Sequence, residues 1–153
     1  MDEALKVQKQ NHKKILIDFY ADWCGPCKVM EKKTYNHPVI SKYINDHFLP
    51  VKFNTEGSET VNYLGQIYKN TGNKIKKHKN SVHEFAEYMN VQSVPSLVFL
   101  DEMAQPITIL NGLLTAPDLE PYLELINKND YKKIKSRTEW DNYQKKFKSK
   151  LKE

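Results

Sequence analysis

Ile15-Leu16-Ile17-Asp18-Phe19-Tyr20-Ala21-Asp22-Trp23-Cys24-Gly25-Pro26-Cys27-Lys28 leads from an apolar run to the only two cysteines of a 153-residue chain. Residues 15–20 are nearly continuous in apolar, β-forming side chains, the pattern of a strand buried on both faces as in a parallel sheet. Lys28 to Thr34 reads as helix, and Pro26 suits a helix's first turn, where its missing N–H is no loss. The cysteines therefore stand at a strand-to-helix junction, two residues apart, close enough to bridge and to open again. If Cys24 begins a helix over 24–34, unsatisfied backbone N–H groups and the helix dipole favour its thiolate. Cysteines so placed have pKa values of roughly 3.5–7.5, against about 8.5 when free. Cys24 is then the attacking thiolate and Cys27, one turn deeper, the resolving thiol. Two other readings compete. A static disulfide of this spacing closes almost no loop. A structural zinc site wants four ligands, and His12, His37, His47, His78 and His83 are scattered without ligand spacing.

Two further residues stand out. Asp18 places a carboxylate in the middle of an apolar strand, which is costly without a role or a partner. Burial would raise its pKa and make it a proton acceptor for the deeper thiol, while a structural hydrogen bond is the plainer reading. Val94-Pro95 directly precedes the apolar run Leu97-Val98-Phe99-Leu100. A cis bond there would offer the backbone of Val94 to a bound peptide, but cis is about 5–6% of such bonds, so trans is the default.

Working outward, residues 2–12 favour helix, with a thin stripe of Ala4, Leu5 and Gln8. Asn36 is a candidate N-cap for an amphipathic helix over 38–47, and Leu49, Val51 and Phe53 alternate as a second strand. Val61, Leu64 and Tyr68 read as one face of a short helix, and Lys74 to Lys79 as an exposed basic loop. Ser81-x-x-Glu84 reads as a capping box for a helix with Phe85, Ala86 and Met89 inward. Residues 97–100 and 107–110 form a hairpin, and Asn111-Gly112 marks a bulge or turn. Asp118 caps a helix to about Ile126, which puts Pro121 at its third position. Thr138-x-x-Asp141 precedes a last helix with Trp140, Tyr143, Phe147 and Leu151 on one side. This order predicts an α/β fold, a mixed sheet with helices on both faces.

Composition sets the class. With 39% hydrophobic and 28% charged residues the chain reads as one globular domain. No window approaches the roughly 18 apolar residues of a membrane span, and Met1 is followed at once by a charged helix-like segment rather than a secretory leader. Charge is uneven: residues 128–153 hold ten basic and four acidic side chains, and 81–127 seven acidic and no Lys or Arg. A basic tail could meet nucleic acid, anionic lipid or an acidic partner, but it reads first as a solvated helix face. Arg137 is the only arginine, so no nucleic-acid partner is expected.

The stretch from Ile17 to Lys28, with Val94-Pro95-Ser96 and Asn111-Gly112, resembles the thioredoxin family, almost residue for residue around the cysteines, over about 14–126. The resemblance implies a thioredoxin-like three-layer α/β/α fold with a central mixed sheet of about four strands. Around that core it leaves a helical insert over about 55–80 and an extra basic helical extension over 128–153. It also implies a missing or replaced N-terminal strand. For the site it implies catalytic Cys24, Cys27 and Asp18, and Pro95 as a cis-proline beside Cys24. A substrate-binding edge would then be made by Trp23, Gly25, Pro26, Val94 and Pro95. Gly-Pro between the cysteines is similar to the reducing members. Tyr35-Asn36-His37-Pro38-Val39 looks like the domains of bacterial extracytoplasmic thiol-disulfide interchange proteins, which favours an extracytoplasmic place, with the cytoplasm as the other option.

The expectation is a monomeric thiol-disulfide oxidoreductase reducing protein disulfides, with an upstream thiol reductant as second partner. It would need no cofactor beyond a redox-active Cys24–Cys27 disulfide. An isomerase or oxidase, or an interaction module using the insert and basic tail, are the alternatives.

Overall fold

The computed structural model describes residues 1–71 and 81–151, so the basic stretch Lys74 to Lys79 lies outside the described residues. The chain opens with α1 (Asp2–Asn11), whose acidic first turn, Asp2 and Glu3, suits the positive end of the helix dipole. Gln8 is buried and ties the helix down, its amide donating to the carbonyls of Lys13 (2.7 Å) and Asp101 (2.8 Å). β1 (Lys14–Tyr20) follows, then α2 (Gly25–Met30), which runs into a π turn at Glu31–Tyr35, and α3 (Pro38–His47). The cap of α3 is His37, one residue later than expected; its Nδ1 accepts from the Val39 amide at 3.2 Å.

β1 sits inside a four-stranded sheet with β2 (Phe48–Asn54), β5 (Ser96–Leu100) and β6 (Pro106–Asn111), in the order β2-β1-β5-β6. β1 runs parallel to β2 and antiparallel to β5, and β6 is antiparallel to β5. The sheet is mixed, as the sequence predicts.

Side chains alternate across the sheet. Ile15, Ile17 and Phe19 enter one core with Phe53, Val61, Tyr63 and Phe85; Leu16 enters the other with Ile40, Ile44, Phe48, Leu119 and Leu123. The first core is covered by α1 and by α4 (Glu84–Tyr88), the second by α3 and α5 (Ala116–Asn127). Phe19, Phe53, Tyr63 and Phe85 meet in tilted and edge-to-face pairs with centroids 5.4–6.1 Å apart. Each such buried ring contributes roughly 1.5–3 kcal/mol.

The segment expected as a helical insert is different. β3 (Val61–Tyr63) and β4 (Gln66–Tyr68) form a hairpin closed by Leu64 and Gly65 at φ 49° and 84°. Two central residues at positive φ make a tight turn whose twist matches its strands. Val61, Leu64 and Tyr68 imitate helical spacing, but burial alternates along β3: Val61 and Tyr63 are buried in the core, Tyr68 packs against it, and Leu64 is exposed.

Caps also differ. α4 is capped by His83, not Ser81: Nδ1 accepts from the Phe85 amide at 3.0 Å, so Nε2 carries the hydrogen that meets the Glu59 carbonyl. Phe85, Ala86 and Met89 do face inward. α5 begins at Ala116 behind Thr115, in a capping box with Asp118 as its N3 member, so Pro121 lies inside the helix, not in its first turn. The last helix, α6 (Arg137–Lys146), is capped by Ser136 rather than Thr138 and ends before Phe147. Trp140 stacks between Tyr122 of α5 (4.5 Å) and Tyr143 (5.8 Å), and Glu120 accepts from the Ser149 hydroxyl and the Lys150 amide.

Candidate active site

β1 ends at Tyr20 and the chain turns through Ala21-Asp22-Trp23 into α2. Thr55, just past β2, ties this end of the sheet down: its amide and hydroxyl both donate to the Tyr20 carbonyl, at 2.8 and 3.0 Å. Cys24 is the N-cap of α2 with extended backbone, and its Sγ accepts from the Cys27 amide at 3.1 Å. The helix thus aims an N–H at this sulfur, the group that stabilises a thiolate there once the pair is reduced. Cys24 and Cys27 are joined as a disulfide, Cα atoms 5.3 Å apart. Both are buried, Cys24 at 1% exposure and Cys27 at 8%, so Cys27 is not the more covered of the two. Both lie in a small cluster with Ala21 against Tyr20 and Val94, and Cys27 also lines a cavity of about 180 Å³ that Cys24 does not.

The Val94–Pro95 peptide is cis. The loop is fixed from β6: Gly112, at φ +91°, donates its amide to the Pro95 carbonyl at 2.8 Å. Ser96 is buried, its hydroxyl donating to the Ser93 carbonyl at 2.7 Å and lying 3.1 Å from Asn111 Oδ1. Trp23 is 66% exposed beside the disulfide, and its indole N–H donates to Glu56 Oε1 at 2.9 Å. Apart from its chain neighbours and the backbone of its own helix, nothing lies within 4 Å of where a Cβ on Gly25 would be, so that rim is open.

Asp18 lies on the face of β1 that carries Leu16 and lines the same cavity as Cys27. It is 7% exposed, and its Oδ1 has no hydrogen-bond partner among the described residues. Burial pushes its pKa up from 3.8 to about 6; Lys52 pulls it down and Glu31 pushes it further up. Sequence reading did not pick out those two neighbours. Lys52 faces Asp18 in the β1–β2 register, and its Nζ meets Glu31 Oε1 at 2.8 Å. Parallel pairing of the two strands was the available signal for Lys52. None existed for Glu31, whose position depends on the helix geometry after Met30. Among the described residues no group of three or more His, Cys, Asp or Glu is placed to hold a metal ion, and no helix is long and apolar enough to cross a membrane.

The sequence profile of the thioredoxin-like domain matches residues 1–127. Thiol:disulfide interchange protein DsbD of Photorhabdus laumondii is 26% identical over 129 residues, 82% of this chain and 19% of that protein. DsbD of Haemophilus ducreyi is 29% identical over 115 residues, 72% of this chain and 16% of that one. The chain thus spans less than a fifth of the length of these relatives. A thioredoxin-fold protein from Helicobacter pylori superposes with a TM-score of 0.65 at 22% identity, over 88% of this chain and 81% of that one. The reduced C-terminal domain of DsbD from Neisseria meningitidis superposes with 0.52 at 20% identity, over 82% and 95%. These structures share the fold. The profile match takes in the β2-β1-β5-β6 sheet, both cysteines and the cis-proline, and the chain belongs to the thioredoxin-like domain family.

Proposed function

We propose that this domain is a thiol-disulfide oxidoreductase that reduces disulfides in other proteins. The observation that carries the reading is the Cys24–Cys27 disulfide at the start of α2, with the Cys27 amide aimed at Cys24 Sγ. The cis peptide before Pro95 and the buried Asp18 support it, as do relatives named for thiol:disulfide interchange. Gly25-Pro26, similar to the dipeptide of reducing members, supports the direction.

The cycle starts from the dithiol. Cys24 thiolate attacks one sulfur of the substrate disulfide, that S–S bond breaks, and the other substrate sulfur leaves with its electron pair and takes a proton. Cys27 then gives its proton to Asp18 and its thiolate attacks Cys24 Sγ. The mixed disulfide breaks and the second substrate sulfur leaves and is protonated. Two electrons and two protons reach the substrate, and the Cys24–Cys27 disulfide remains for a separate thiol reductant to reopen. Trp23, Gly25 and Pro26 form the docking rim, and the Val94 backbone pairs with an extended substrate segment.

Replacing Cys24 with Ser should abolish dithiol-dependent reduction of insulin; full retained activity overturns the reading. A reduction potential near about −270 mV fits a reductant, and one near about −120 mV assigns the domain to oxidation instead.

A further inference from the structure

Asp18 lines two cavities. One, of about 180 Å³, also holds Cys27; the other, of about 280 Å³, opens between α3 and β2 and holds Tyr35. Glu31 and Lys52 line both. The Tyr35 hydroxyl is shielded from solvent and, like Asp18 Oδ1, has no hydrogen-bond partner among the described residues. Two buried polar atoms without a partner are rare, and here they border one cavity large enough to hold water. Phenylalanine would fill the ring's place without leaving a buried hydroxyl.

Backbone geometry puts the hydroxyl there. After Met30 the helix widens into the π turn, closed by the Asn36 amide donating to the Glu31 carbonyl at 3.0 Å. This turn brings Glu31 and Tyr35, four residues apart, into the cavity beside Asp18. Single π turns within helices concentrate at functional sites. Burial raises the pKa of Tyr35, and the charge of Asp18 raises it further, so the phenol keeps its proton and can donate it in a hydrogen bond.

We propose that Tyr35 is a positioning residue for the proton transfer from Cys27: through one bridging water its hydroxyl donates towards Asp18 Oδ1. The reading rests on the oxidoreductase function above. In the step it serves, Cys27 S–H loses its proton to the Asp18 carboxylate, and the sulfur's electron pair forms the bond to Cys24. The bridging water then takes the proton from the carboxyl group and passes it to solvent between α3 and β2. The other ionisable groups facing Asp18 are Glu31 and Lys52, paired with each other, and Lys28, Asp22 and Tyr20 on the Cys27 side.

The test is Tyr35→Phe in the full chain, with Tyr43→Phe as a control tyrosine bonded to Asn127 instead. Carbon-13 NMR of the Asp18 carboxyl in the oxidised protein should show its titration midpoint higher by about half a pH unit in Tyr35→Phe, because a donor to the charged form is lost, and unmoved in Tyr43→Phe. Insulin reduction by Tyr35→Phe should fall about twofold at pH 6 and stay at the wild-type rate at pH 8, as a base with a raised pKa predicts. An unmoved Asp18 titration overturns the assignment. So does a moved titration with an unchanged pH–rate profile, since the hydroxyl would then not serve the proton step. The NMR measurement needs no turnover, so failure of the oxidoreductase reading shows separately, as Cys24→Ser activity.

Discussion

Asp18 occupies a place on the sheet that Leu16 fills two residues earlier, and its charge is held there against the cost of burial. With its pKa at about 6, against 3.8 when unfolded, the folded chain binds one more proton between those values. Stability from this group is therefore full below about pH 4 and is lost as pH rises through about 6, a change of roughly 3 kcal/mol. Asp18→Asn should raise the thermal midpoint at pH 7 by about 5 °C, and should flatten the pH dependence of stability between pH 4 and 7. Thermal melts across that range, on both proteins, check it. The cysteines, Asp18 and Pro95 were legible as single residues because each is chemically out of place in its local pattern. Glu31, Lys52 and Tyr35 are ordinary in theirs, and become neighbours only through strand register and a widened turn that no spacing rule announces.

Elements are most legible in the sequence where one periodicity rules. α1, β1, α3 and the β5–β6 hairpin fall within two residues of expectation, since each carries a single stripe or run. Caps were less legible: His83 and His37 cap through ring nitrogens, which the usual Ser, Thr, Asp and Asn signals overlook. The hairpin at 61–68 hides in the sequence because Leu64 stands where Asn normally precedes Gly in such turns. Leu64 pays for that conformation with strain and is 53% exposed, so it returns little burial. Leu64→Asn should stabilise the protein by about 0.5–1 kcal/mol, seen as a higher denaturant midpoint at unchanged slope. The hairpin also gives the core Val61 and Tyr63, whose hydroxyl bonds the Ala104 carbonyl. Tyr63→Ala should therefore cost about 3–5 kcal/mol, the usual result of emptying an aromatic site, measured by the same denaturation.

At the scale of the molecule, the chain beyond 128 is fastened to the domain through three kinds of contact. Trp140 stacks on Tyr122, Glu120 accepts two hydrogen bonds from 149–150, and Leu151 packs against the core under α5. Ending the chain after Ile134 should leave the sheet folded and insulin reduction intact, but lower the thermal midpoint by roughly 5 °C, since Glu120 loses its partners and the aromatic stack is undone. A calorimetric scan beside an activity assay decides it. The order β2-β1-β5-β6 leaves β2 and β6 as rims. Pro50 lies within β2 and Pro106 opens β6, while β1 and β5 contain no proline. A rim interrupted by proline, with Lys52 beside it, is a poor template for another copy's strand. The same four-strand arrangement that frames the disulfide therefore also protects the protein against edge-to-edge aggregation.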